Sequence, residues 1–200
     1  MKTKTIQTKA IDKNNHINTG QTQFNNMPGK YNQDTCLAIA LILDIGTEKT
    51  GYSIWKQNNN NWFLDTSGYI WVKKTAKTNK TAQDRYPEMI TKISQLLKLY
   101  TYTHIIVEGT YYSKSFTSIE YPLKIHGFIE SYCVLHNICF NSVKPQYWRK
   151  LLQFPKDKRA YLKEYSLTYI KNHYPTLNVK IDDEADAICI GEAMLHNRKE

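Results

Sequence analysis

The chain has 200 residues, 41% of them hydrophobic, which is enough for one ordinary domain with a real core. No apolar run approaches the roughly 18 residues of a membrane-spanning helix. The N-terminus also lacks the apolar core of a signal peptide, so the expectation is a soluble, unexported protein, cytoplasmic or nucleoid-associated, with an organelle matrix the other compatible compartment. With 27 Lys and Arg against 18 Asp and Glu, the net charge is +9, and a basic, tyrosine-rich chain favours a nucleic-acid partner. Cys36, Cys133, Cys139 and Cys189 form neither a CxxC nor a zinc spacing, as expected of reduced thiols.

Residues 1–35 are Thr, Asn, Gln and Lys with almost nothing apolar, a composition that cannot offset ordering entropy. They are read as a disordered basic tail, and 36–200 as one domain. Within that domain 37–45 reads as a buried strand, 51–55 as its hairpin partner, and 62–72 as a third strand reached through an Asn-rich turn at 58–61. This predicts an antiparallel three-strand meander. Tyr86, Met89, Ile90, Ile93, Leu96 and Leu97 have helical spacing, giving a helix over 84–100. A strand at 104–107, a helix at 119–136, a strand at 138–143 and helices at 158–172 and 183–197 complete an α/β outline with a mixed sheet flanked by helices.

Acids sit at particular places on this outline. Asp44 ends the first strand, Glu108 ends the fourth, and Asp183 and Asp186 open the last helix on one face. Strand ends are where sites assemble in an α/β sheet. Taken singly, each acid has a plainer role: Asp44 caps the turn through Gly46 and Thr47, Glu108 pairs with a lysine, and Asp183 and Asp186 complement a helix N-terminus. Taken together, converging carboxylates repel one another, and a hard divalent cation, Mg²⁺ or Mn²⁺, relieves that repulsion with oxygen ligands of this kind. The histidines are not at ligand spacing: His104 lies in a strand, His126 and His136 on a helix, and His196 about three turns beyond Asp186. Glycines 46 and 51 are expected to let the first hairpin turn tightly enough for a nucleic-acid backbone to approach.

LDIGTEKTGYSI resembles the first-strand signature of the RNase H-like superfamily, and the order Asp, Glu, DxxD resembles the RuvC-like Holliday junction resolvases, especially their phage and mobile-element members. The resemblance runs over about 37–196 and includes GTYYSK after Glu108, the small-residue helix IHGFIESYC with Gly127 for close packing, VKPQYWRKLL with KDKRAYLK, and DEADAICIGEA, the most specific element. LLQFPKDKR stands where bacterial resolvases carry a Gly-x-Gly before the basic helix. The resemblance implies an RNase H-like fold, a homodimer, host-cell cytoplasm for a phage-encoded chain, and a nuclease acting on branched DNA, chiefly four-way junctions. It implies two Mg²⁺ or Mn²⁺ ions per site held by Asp44, Glu108, Asp183 and Asp186, with products carrying a 5′-phosphate and a 3′-hydroxyl. Lys163 is then the first choice and Lys158 the second for a catalytic lysine. DNA contacts fall to Arg149, Lys150, Lys156, Lys158 and Arg159 in the basic stretch and to Tyr111, Tyr112, Lys114 and Phe116 past Glu108, where aromatics can stack on unpaired bases.

Three rival readings differ in class. The actin-like sugar and acetate kinases share the strand-turn-strand start, but need two lobes and a Gly-rich adenosine site that this chain lacks. A YqgF-like RNA-processing nuclease has the same acids without the lysine-rich Pro-x-x-Trp region. A non-catalytic branched-DNA-binding protein would have no use for intact Asp44, Glu108 and Asp186.

Overall fold

The computed structural model of the chain describes residues 17–18, 38–73, 81–110, 116–156 and 159–196. The rest of the expected tail lies outside them, as do Tyr111, Tyr112, Lys114 and Lys158. Within the tail, β1 (Ile17–Asn18) pairs with β4 at the sheet edge.

The meander is β2 (Ala38–Asp44), β3 (Lys49–Asn58) and β4 (Asn61–Trp71), each antiparallel to the next. Its second turn is made by Asn59 and Asn60 alone, at φ 47° and 66°. A two-residue turn with both centres left-handed matches the twist of the strands, and asparagine tolerates that backbone. β3 therefore runs three residues past its predicted end, to Asn58, and β4 begins at Asn61, one residue before its predicted start. A bulge at Ile54/Trp55 leaves Asp65 of β4 as the extra residue.

β5 (His104–Glu108) joins β2 in parallel and β6 (Cys139–Val143) joins β5 in parallel, giving the order β1-β4-β3-β2-β5-β6. Parallel pairing needs crossovers, and helices supply them. α1 (Ala82–Leu97) starts with a reciprocal Thr81/Asp84 capping box and ends at Leu97, three residues before the spacing predicts, with Lys98 as its C-cap. α2 (Phe116–His136) follows β5.

Strand alternation splits the core in two. Leu41, Leu43, Ile105 and Val107 face α1 and α2, packing on Met89, Ile93, Ile125 and Ile129. Ala38, Ala40, Ile42 and Ile106 face the other way, toward α3 (Pro145–Leu151), α4 (Arg159–His173) and α5 (Asp182–His196). α3 has no counterpart among the predicted elements. Pro145 begins it after an extended Lys144, and seven residues are too few to display a helical period. Gly127 of α2 corrects the expectation of close packing: a Cβ added there meets nothing within 4 Å in this chain.

Candidate active site

Alternation along the strands decides where the acids point. Ala40 and Ile42 face α5, so Asp44, two further on, emerges on the same face; Ile106 does likewise for Glu108. The parallel register pairs Leu43 with Val107, which sets Asp44 and Glu108 side by side at the ends of their strands. They are close enough for a carboxyl of Asp44 to hydrogen-bond Glu108.

α5 is fitted onto β3 by three matched contacts. A Cβ at Gly51 would stand 1.8 Å from the Asp183 carbonyl oxygen, Ser53 Oγ donates to the Ala187 carbonyl at 2.7 Å, and a Cβ at Gly191 would stand 2.2 Å from Trp55 Nε1. Trp55 Nε1 in turn donates to Ser53 Oγ at 2.9 Å. Two residues of strand advance about 6.6 Å and four of helix about 6 Å, so the pairs stay in step. Because Asp44 pairs with Gly51 across the hairpin, this fit delivers Asp183 and Asp186 to Asp44. The expected use of Gly51 is thereby corrected: the room it leaves is filled by the chain's own α5. At Gly46 a Cβ would likewise meet the Lys49 carbonyl, at 2.2 Å.

Crowding and burial act together on these carboxyls. Burial, then the charges of Glu108, Asp186 and Asp183, push Asp44 well above the usual carboxylate range. Burial, opposed by a Ser166 hydrogen bond and reinforced by Glu108, pushes Asp186 up to about 7, with Arg149 pulling the other way. Asp183 is raised by burial and Asp182, against the pull of Lys163 and Lys49. Carboxyls that neutralise themselves this way have more negative charge than the protein can hold unaided.

Two residues not singled out as site supports by spacing alone hold the acids in place, and a third holds Lys163 beside them. Trp148, fully buried on α3, donates Nε1–H to Glu108 Oε1 at 2.8 Å. Ser166, fully buried on α4, donates to Asp186 Oδ1. Asp182, outside the expected ligand set, forms an ion pair with Lys163; burial works against its charge, but Lys163 holds it below the usual range. Lys163 thus lies at the rim of the acid cluster. Arg149, expected on DNA, instead points inward, with Nη2 at 3.7 Å from both Glu108 Oε1 and Asp186 Oδ2. Lys150 and Lys156 are exposed, Arg159 begins α4, and Phe116 is 68% exposed at the start of α2.

No protein-family model and no curated protein sequence matches the chain. Among solved structures, Thermus thermophilus RuvC in complex with Holliday junction substrate superposes with a TM-score of 0.58 at 12% identity, covering 78% of this chain and 91% of that one. The fowlpox virus resolvase in complex with substrate Holliday junction DNA gives 0.54 at 18% identity, covering 81% and 99%. The chain has the RuvC-type RNase H-like fold.

The acids suit a hard divalent cation by chemistry: four carboxylates, Asp186 buried and the others half-buried, mutually repelling, with no soft ligand among them. Among the described residues, however, no three His, Cys, Asp or Glu side chains already surround one point as ligands of an ion would. What stands between Glu108 and Asp186 is the guanidinium of Arg149.

Proposed function

We propose that the protein is a metal-dependent structure-specific endodeoxyribonuclease that resolves four-way DNA junctions. The observation that carries this reading is the gathering of Asp44, Glu108, Asp183 and Asp186, from two strands and a helix, on one face of a RuvC-like sheet. Two solved structures with this fold are complexes with Holliday junction DNA. Asp44, Glu108, Asp183 and Asp186 are the residues to hold Mg²⁺ or Mn²⁺, which when bound supplies an activated water and neutralises phosphate charge.

The chain's own residues do the rest. Trp148 fixes the rotamer of Glu108, and Ser166 that of Asp186, so the acids meet substrate already oriented. Lys163, 46% exposed at the rim, is placed to take up negative charge developing on a phosphate. Lys150 and Lys156 with Lys144 offer phosphate contacts, and exposed Phe116 offers an aromatic face to an unpaired base. The chain acts as a homodimer, since resolving a junction takes two cuts and the described residues of one chain carry one such acid cluster.

The test is cleavage of a labelled four-way junction with Mg²⁺ or Mn²⁺. Wild type cuts, and Asp44→Asn binds the junction without cutting. A wild type inert on junctions, forks and flaps with both metals overturns the reading, and cleavage of structured RNA alone favours the RNA-processing relative.

A further inference from the structure

Arg149 is poorly satisfied for a half-buried guanidinium. Its Nε is buried with no hydrogen-bond partner, and both carboxylate oxygens lie 3.7 Å from Nη2, beyond hydrogen-bond length. A structural Arg–carboxylate bridge has paired contacts below 3 Å. Here the group instead lies over the Trp148 ring, with Cζ 4.7 Å from the ring centre, and is 23% exposed along its side chain. Trp148 also holds Glu108, so α3 presents an acid's donor and a competing cation from adjacent residues.

We propose that Arg149 is the resident counter-cation of the acid cluster: it balances Glu108 and Asp186 in the metal-free protein and competes with the divalent ion for them. This rests on the metal-dependent reading above and adds a positioning residue to it. The charge sits where two ligands have to converge, which accounts for the absence, among the described residues, of a ready-made three-acid cage. Loading the site then requires the guanidinium to leave, and its loose contacts and partial exposure make that departure cheap. Without Arg149 the empty site is less stable and the ion binds more tightly.

Mn²⁺ titration by calorimetry without DNA tests this on wild type, Arg149→Gln, Arg149→Lys and Asp44→Asn. Arg149→Gln is expected to bind Mn²⁺ about tenfold more tightly, equivalent to about 1.4 kcal/mol, with Arg149→Lys close to wild type. In chelator, Arg149→Gln melts below wild type, and saturating Mn²⁺ raises its melting temperature by more. Equal or weaker Mn²⁺ binding by Arg149→Gln overturns the proposal. A second measurement needs no charge-removing variant: the Nε–H NMR signal of Arg149, identified by its loss in Arg149→Lys, moves on saturating Mg²⁺, and a signal that stays put overturns it. If wild type binds no more Mn²⁺ than Asp44→Asn, the metal-dependent reading itself has failed.

Discussion

At the residue scale, the acids make a pH-dependent liability of the metal-free protein. Asp44 and Asp186 both titrate above their unfolded values, so the native state binds more protons than the unfolded state between about pH 4 and 7. For an acid raised on folding, that stability is complete below the unfolded value and is lost as pH climbs through the folded one. In chelator the melting temperature should therefore fall from pH 5 to pH 8, and Asp186→Asn should flatten the slope; a level wild-type profile counts against the crowded cluster. Trp148→Phe keeps a ring in a fully buried place but strips Glu108 of its donor. The expected cost is about 1–3 kcal/mol of stability, read by denaturant unfolding, and about a 10–100-fold loss of junction cleavage. The acids were legible because each breaks an apolar strand or opens a helix. Their supports were not, since Trp148 is 40 positions from Glu108 and Ser166 is 20 from Asp186, and no period or spacing links them.

At the element scale, α5 is held in register by residues chosen for what they lack. Gly51, Ala187 and Gly191 carry little or nothing beyond the backbone, and the helix settles into that room. Gly51→Ala drives a methyl into the Asp183 carbonyl and lifts the acid-bearing turn from the sheet, at a cost of about 1–3 kcal/mol and most of the cleavage activity. Gly191→Ala meets buried Trp55 two turns further along. It should cost comparable stability by thermal melting while sparing cleavage better, because the acids lie at the other end. Apolar runs were enough to read the meander and most helices. α3 escaped because its largest anchor, Trp148, sits in a seven-residue helix among charges, and Ala187 and Gly191 disclose their partners only once β3 lies beneath them.

At the scale of the whole molecule, the exposed face of α2 bears on assembly. Leu123 is 43% and Val134 73% exposed, and with Gly127 and Glu130 they fall on one stripe of the helix. A glycine with nothing near it and two bare aliphatics are an odd choice for a face that meets only water, whereas a second copy of the chain would bury both and use the glycine for close approach. Two acid clusters would then act on one junction. Mass in solution should be that of a dimer for wild type and of a monomer for Val134→Lys, which replaces a bare aliphatic by an ammonium that an interface would have to desolvate. A supercoiled plasmid that extrudes a cruciform separates the consequences: paired cuts give linear DNA, and a single cut gives an open circle. Wild type should yield mainly the linear form and Val134→Lys mainly the circle, with the acid cluster of each chain intact. A wild type that stays monomeric with and without junction DNA, yet still linearises the plasmid, would mean that one cluster makes both cuts in turn and that the α2 stripe serves another partner.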